Sequence, residues 1–150
     1  GWMMGGGPKK DKKFIQKIME QLKEGKKELH IVNDKLGTPT YTHDFAANVK
    51  LLIEKGQRGL FNMVCGGLTG RFEVATELVQ LLGLKDDIKI IKVDSDYFSK
   101  EYFAERPACE RLINRRLDDF GLNIMRDWRE SLKEYLNNYY SGYLTSPAVL

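Results

Sequence analysis

Gly37-Thr38-Pro39-Thr40-Tyr41 is the stretch of sequence that decides how the rest of the chain is interpreted. Gly37 can take a positive φ, Pro39 fixes its own φ, and a residue that precedes a proline is pushed into an extended conformation. Thr42 follows at once, and its side chain is of the type that caps helices. The stretch therefore predicts a rigid corner, capped by Thr42, that leads into a helix over about 42–55.

Hydrophobic spacing on both sides of the corner predicts an α/β fold. Short apolar runs that end in polar turns indicate strands, and apolar residues that recur every three to four positions indicate helices. The predicted strands are about 28–33, 60–65 and 88–93, and the predicted helices are about 9–24, 42–55, 70–82, 110–119 and 126–139. The run over 60–65 is apolar on nearly both faces, so we expect it to be a central strand. Asp127 is expected to cap the last helix.

The composition is that of an ordinary globular protein. The chain has 150 residues, a net charge of +3, 42% hydrophobic residues and 30% charged residues. Basic and acidic residues alternate along it, so no nucleic-acid partner is expected. The densest basic run, Lys9 to Lys13, is interpreted as a solvated helix start, with a phosphate-facing patch as the alternative.

No segment has the pattern of a membrane span or a secretion signal. No apolar run approaches the roughly 20 residues that cross a bilayer, and residues 1–8 lack the charged start and apolar centre of a signal peptide. We therefore expect a cytoplasmic protein with no membrane partner. Cys65 and Cys109 are expected to be reduced, and with only two histidines, His30 and His43, far apart in sequence, no metal site is predicted.

Four segments carry a resemblance to one enzyme family. Asp34 to Ala46 resembles the Asp-x-x-Gly-x-Pro-Thr-Tyr-x-x-Asp-Leu-Ala signature of dTDP-4-dehydrorhamnose reductases, which are extended short-chain dehydrogenase/reductase enzymes. The other segments, in the family's order, are Gly1 to Gly5, similar to Ser-Trp-x-x-Gly; Leu60 to Gly66 with Phe72-Glu73; and Arg106-Pro107 to Leu132. Two positions depart from the family, since Glu110 stands where a serine is common and Arg126 where many members have a proline.

The resemblance implies a division of labour between two domains. Residues 1–140 would be the C-terminal, substrate-binding portion of an NAD(P)H-dependent sugar-nucleotide reductase, residues 141–150 a loosely ordered tail, and the N-terminal Rossmann domain would lie outside this chain. The full-length enzyme would use NADPH or NADH together with a Tyr-x-x-x-Lys pair. None of the 7 tyrosines here has a lysine four positions later. We therefore expect no catalytic, cofactor-binding or metal-binding residue in this chain, and no turnover by the chain alone.

Five residues are candidates for substrate binding. Trp2 matches a tryptophan that faces the sugar ring in the family, although a large aromatic can equally be core. Arg106 is a candidate for the diphosphate because a guanidinium can hold phosphate oxygens in a fork, with a surface salt bridge as the alternative. Thr38 and Tyr41 are able to hydrogen-bond a ligand or only to brace the helix start. Arg71, at a predicted helix start beside free backbone donors, is a further phosphate candidate.

Three functional hypotheses follow for the chain. The leading one is the substrate-binding portion of an enzyme that reduces the 4-keto group of a dTDP-deoxysugar, with the cofactor domain as its partner; the resemblance also admits a homodimer. The alternative is a non-catalytic nucleotide-sugar-binding or regulatory module with the same fold. A third hypothesis is a small dinucleotide-binding unit at Gly66-Gly67-x-x-Gly70, although the full Gly-x-Gly-x-x-Gly spacing is absent. An apolar surface is expected around Trp2 and Leu60 to Val64.

Overall fold

The computed structural model describes residues 2–100 and 107–145, and within them the chain forms short strands and helices. In chain order these are β1 (Trp2–Met4), α1 (Gly7–Lys10), α2 (Phe14–Lys23), β2 (Glu28–Val32), β3 (Pro39–Tyr41), α3 (Thr42–Glu54), α4 (Arg71–Leu81), β4 (Lys89–Val93), α5 (Arg115–Asp119) and α6 (Trp128–Tyr140). A single 3₁₀ turn, Ser95–Phe98, follows β4.

The described strands form two parallel pairs. β1 pairs with β3 so that Trp2 lies opposite Pro39 and Met4 opposite Tyr41. β2 pairs with β4 over their full lengths, from Glu28 opposite Lys89 to Val32 opposite Val93. Parallel strands joined through helices confirm the α/β prediction.

The core lies around α6, which packs on β3, α1 and α4, while α4 also packs on β2 and β4. The buried positions of α6 recur at helical spacing, because residues three and four apart share one helix face. They are Trp128, Ser131, Leu132, Tyr135, Leu136 and Tyr140. The predicted N-terminal cap of this helix is confirmed, since the Asp127 carboxylate accepts a hydrogen bond of 2.9 Å from Arg129 N.

The strand predicted over 60–65 is wrong. Among the described residues, no strand forms over this segment or pairs with it. The side chain of Asn114 instead bonds its backbone at Val64. Its Oδ1 accepts from Val64 N at 2.9 Å, and its Nδ2 donates to Val64 O at 2.7 Å. The segment is not central either, because Leu60 is 84% exposed, whereas Val64 is buried. The bare apolar surface therefore lies around Leu60 and Ile113, not over the whole predicted run.

Two predicted helices are shorter or broken. The helix predicted over 9–24 is divided into α1 and α2, because Asp11 and Lys13 both have extended backbone. The carboxylate of Asp11 closes this break by accepting from Lys13 N at 2.9 Å. The helix predicted over 110–119 begins only at Arg115, because Glu110 N donates at 2.8 Å to Leu36 O instead of to a helical carbonyl.

The corner differs from its prediction in three details. Pro39–Tyr41 forms β3, a strand that the sequence analysis did not predict. Gly37 is absent from the glycines with positive φ, so this position requires a glycine for space and not for backbone conformation. Thr42 begins α3 but does not cap it, since the capping position is Tyr41 and no side-chain cap bond forms there. The predicted helix over 42–55 is otherwise confirmed.

The described residues include neither a membrane-spanning helix nor a cluster of metal ligands. No helix among them combines the length and apolar character needed to span a bilayer. No group of three or more histidine, cysteine or acidic side chains among them is arranged to hold a metal ion. Cys65 is a buried free thiol and Cys109 an exposed one. Of the predicted tail, residues 141–145 form turns and residues 146–150 lie outside the described part of the chain.

Candidate functional site

Trp2 lies in β1 against the backbone of Gly37. A Cβ atom placed on Gly37 would lie 2.5 Å from Trp2 Cε2, 2.7 Å from Cζ2 and 2.9 Å from Cδ2. Cε2 and Cδ2 are the two carbons shared by the indole rings, and they can be approached this closely only from above the ring plane. One face of the indole is therefore packed on Gly37, and the side chain as a whole is half-buried.

Glu110 holds the polar edge of the same indole. Trp2 Nε1 donates a hydrogen bond of 2.8 Å to Glu110 Oε2 across 108 positions of sequence. The backbone around Glu110 is fixed by Leu36, whose N donates to Ala108 O at 2.8 Å and whose O accepts from Glu110 N at 2.8 Å. Because Leu36 is the neighbour of Gly37, the corner positions both the face and the edge of Trp2.

Arg71 is the third member of this group. It is the first residue of α4, and its guanidinium carbon lies 5.2 Å from the Trp2 ring centroid and 5.9 Å from that of Phe14. The capping residue of α4 is Gly70, which offers no side-chain bond to the first backbone N–H groups. A cation, an aromatic ring and the positive end of a helix thus lie together, which is a combination suited to an anionic ligand that carries a ring.

Thr38 contributes to the support beneath this group. Its side chain is 6% exposed, and Oγ1 donates to Gly67 O at 3.1 Å. Next to it, Thr69 O accepts from Gly37 N at 3.2 Å and from Arg111 Nη2 at 3.1 Å. These bonds tie the corner, on which Trp2 packs, to the turn before α4, where Arg71 is the first helical residue.

Tyr41 lies in the core and is fully buried. Its hydroxyl bonds His43 Nδ1 at 3.0 Å, and its ring packs against Tyr135 with the ring centroids 5.6 Å apart. Burial is the main cause that raises the pKa of the Tyr41 hydroxyl. These contacts agree with the alternative in which Tyr41 only braces the start of the helix. Arg106 lies outside the described residues. Of the other predicted site residues, the structure brings Trp2 and Arg71 together, and Thr38 supports the corner on which Trp2 packs.

Glu110 is the residue of this group that the sequence analysis did not include among the binding candidates. Its signal was present as the departure from serine at that position. A local pattern does not pair it with Trp2, because the two residues are 108 positions apart.

The glycine turn at Gly66 has a different environment from a dinucleotide cradle. The element before it among the described residues is the helix α3 and not a strand, and the backbone of Gly66 is already bonded. Gly66 N donates to Arg126 O at 2.8 Å, and Gly66 O accepts from Trp128 N at 3.1 Å. The turn therefore joins α6 to the segment before α4, and the described residues at this turn do not fit a bound nucleotide cofactor.

Several solved dTDP-4-dehydrorhamnose reductases match this fold. The dTDP-4-dehydrorhamnose reductase from Yersinia enterocolitica superposes with a TM-score of 0.82 and 31% identity, over 93% of this chain and 47% of that one. The Bacillus anthracis dTDP-4-dehydrorhamnose reductase, solved in complex with NADP, superposes with a TM-score of 0.76 and 24% identity, over 91% of this chain and 45% of that one.

Residues 1–141 match the RmlD substrate binding domain, and the chain belongs to that family. A curated relative, the spore coat polysaccharide biosynthesis protein SpsK of Bacillus subtilis, is 32% identical over 90% of this chain and 44% of its own length. The chain thus spans less than half the length of these relatives, and it corresponds to their C-terminal, substrate-binding portion. The resemblance to the reductase family is confirmed.

Proposed function

We propose that this chain is the substrate-binding portion of a reductase that acts on the 4-keto group of a dTDP-linked deoxysugar. In this proposal residues 1–140 form the substrate-binding unit, and an N-terminal cofactor domain of the same enzyme supplies the chemistry. That domain would bind NADPH or NADH, the cofactor would supply the hydride, and a Tyr-x-x-x-Lys pair would supply the proton. The family assignment supports this reading, because relatives matched over most of this chain include dTDP-4-dehydrorhamnose reductases.

The observation that carries the proposal is the placement of Arg71 over the Trp2 ring, with 5.2 Å between the guanidinium carbon and the ring centroid. A nucleotide-sugar presents an anionic diphosphate next to a sugar whose carbon-bound hydrogens form apolar patches. An indole stacks on such a patch, and a guanidinium at a helix start binds phosphate oxygens. Trp2 would therefore contact the sugar when the Arg71 guanidinium moves from above the ring to the diphosphate. Arg106 would also contact the diphosphate, and Thr38 and Tyr41 would hold the corner that positions Trp2.

The chain's own chemistry in this proposal is binding and orientation. Holding the sugar against Trp2 would fix the position of its carbonyl relative to the cofactor domain, and a fixed geometry accelerates a transfer step. No proton donor of the family's kind is present in this sequence, so we expect the chain alone to bind substrate without turnover.

Calorimetric titration of the chain with dTDP-glucose, dTDP and NADPH tests the proposal. We expect binding of both dTDP compounds, no binding of NADPH, and a loss of about tenfold in affinity for Arg71→Ala. Lys9→Ala removes a cation at the far end of α1 and is the matched control, with no change expected. Binding of dTDP-glucose that is unaffected by both Trp2→Ala and Arg71→Ala would contradict the assigned site.

The second candidate function is a non-catalytic binding or regulatory module. The absence of the Tyr-x-x-x-Lys pair from these 150 residues agrees with such a module, as it does with a reductase whose pair lies in another domain. The two candidates differ when the chain is mixed with a separately expressed cofactor domain of a relative. Restored reduction of a dTDP-4-keto sugar supports the reductase portion, whereas nucleotide-sugar binding without any restored activity supports the module.

A further inference from the structure

The carboxylate of Glu110 is a negative charge beside the proposed sugar site. Its Oε2 accepts the Trp2 indole N–H at 2.8 Å, and the residue is half-buried. Among residues 2–100 and 107–145, no ion pair involves this carboxylate. The charge of Glu110 is therefore not neutralised by a direct partner in the described structure.

We propose that Glu110 determines which sugars this site accepts, by fixing the indole and by presenting an anionic acceptor to the sugar. This inference rests on the proposed nucleotide-sugar function. Trp2 has one face on Gly37 and its N–H edge on Glu110, so the sugar that contacts Trp2 comes close to the same carboxylate.

A carboxylate in this position selects by charge and by hydrogen bonding. It accepts bonds from sugar hydroxyl groups, and charge-assisted bonds of this kind are roughly twice as strong as neutral ones. It repels a sugar that carries its own carboxylate, and the repulsion is strengthened in a partly desolvated site. The selected class is therefore neutral, hydroxyl-bearing sugars, and the rejected class is uronic acids.

Backbone hydrogen bonds hold the main chain of Glu110, which carries this charge, against the corner. Leu36 bonds the main chain on both sides of Cys109, through Ala108 O and Glu110 N at 2.8 Å each. The same residue pairs with Gly70, the residue before Arg71. Glu110 and Arg71 are thereby attached to one point of the corner, so an acidic and a basic group flank Trp2.

Glu110→Gln separates charge from shape, because the amide oxygen still accepts the indole N–H. We expect the wild-type chain to bind dTDP-glucose at least about tenfold more tightly than dTDP-glucuronic acid. In Glu110→Gln this ratio is expected to fall to about threefold or less, with affinity for dTDP itself unchanged within about twofold. The tryptophan emission, to which Trp2 and Trp128 both contribute, is expected to keep its wild-type maximum.

The outcomes separate the two proposals. If the wild-type chain binds none of the three compounds, the proposed function fails and this inference fails with it. If the wild-type chain binds dTDP-glucose but the sugar ratio is unchanged in Glu110→Gln, only this inference is overturned. An equal loss for all three ligands also overturns it, because a purely structural role would produce that result.

A second variant covers the case in which Glu110→Gln does not fold. Glu110→Asp keeps the charge but shortens the side chain, so the bond to Trp2 Nε1 is lost. We expect Glu110→Asp to keep the preference for dTDP-glucose over dTDP-glucuronic acid while the indole emission shifts. Loss of the preference in this variant would overturn the role assigned to the charge.

Discussion

Arg126 and Asp44 are joined by two hydrogen bonds to one carboxylate oxygen, from Nε at 2.9 Å and from Nη2 at 2.6 Å. The third donor of the guanidinium, Nη1, bonds Glu134 at 2.6 Å, and Ser131 Oγ donates to the other Asp44 oxygen at 2.5 Å. The bonds to Glu134 and then to Asp44 raise the pKa of Arg126 above its usual value. A buried carboxylate in α3 is thus held by a cation just before α6.

Arg126→Ala leaves the Asp44 carboxylate without its cation. Because Asp44 is 7% exposed and Arg126 35% exposed, we expect the free energy of unfolding to fall by about 2 kcal/mol, below the value for a fully buried pair. Urea unfolding measures this loss. Lys50→Ala removes an exposed pair with Glu54 and should change stability by less than about 0.5 kcal/mol. Equal effects of the two substitutions would contradict the prediction.

Asn114→Ala tests the side chain that replaces a strand beside Val64. The substitution leaves the backbone N–H and C=O of Val64 without the bonds of 2.9 and 2.7 Å that Asn114 provides. Two buried unpaired groups predict a loss of about 2–3 kcal/mol in urea unfolding. Asn62→Ala is the matched control, since its bond to Ile113 O is exposed and 3.4 Å long. A loss below about 0.5 kcal/mol for Asn114→Ala would contradict this role.

The contacts of Asn114 explain why the apolar run over 60–65 forms no strand. Such a run predicts a strand, but periodicity does not state which groups bond its backbone, and at Val64 the bonds go to a side chain. The predicted bounds of β2 and β4 agree with the structure within a residue or two at each end. Both segments are apolar runs bounded by polar turns, and in the structure they pair with each other. β3 was missed because it is only three residues long and begins with a proline that cannot donate.

The sequence predicts some residues of the candidate site but not the contact between Trp2 and Glu110. Trp2, Arg71 and Thr38 came from the resemblance and from residue chemistry, and the structure brings Trp2 and Arg71 together. The bond from Trp2 to Glu110 depends on three-dimensional packing, because Leu36 places Glu110 beside β1 from a distant segment. Sequence spacing carries no information on such contacts.

Gly37→Ala tests the packing of the corner on the indole. The added Cβ would lie 2.5 Å from Trp2 Cε2, so either the ring or the corner must move. We expect a shifted indole emission and a loss of about 1–3 kcal/mol in the free energy of unfolding. Gly66→Ala is the control, because its Cβ would meet nothing nearer than 3.8 Å and its φ is not positive. An unchanged emission maximum together with an unchanged free energy of unfolding in Gly37→Ala would contradict the packing of the indole on Gly37.

The buried tyrosines predict a loss of stability at alkaline pH. Burial raises the pKa of Tyr140 to about 12 in the folded chain, whereas an unfolded tyrosine titrates near 10. Between these values the unfolded state releases a proton that the folded state keeps, so the free energy of unfolding falls as pH rises. Below about pH 10 this contribution is fully present.

Tyr140→Phe should reduce the steepness of this fall. The difference between thermal midpoints measured at about pH 9 and about pH 11 gives the dependence of stability on pH. The substitution also removes the bond to Gln16 Oε1, but that loss is the same at both pH values and cancels in the difference. Tyr97→Phe, at a residue 59% exposed, should leave the slope unchanged. A wild-type slope in Tyr140→Phe would exclude Tyr140 as a source of the alkaline instability.

The bond from Gly7 N to Tyr135 Oη, 3.2 Å long, spans 128 positions of sequence, and the same hydroxyl donates to Asp11 Oδ2 at 2.8 Å. A ribosome therefore releases the partner of α1 only after nearly all of the chain between them has been synthesised. The packing of α1 is therefore completed only after α6 has been made, and contacts of such high sequence separation form late in folding. Shortening α6 from its C-terminal side would remove Tyr140 and its bond to Gln16 Oε1, so the damage would reach a helix 124 positions earlier.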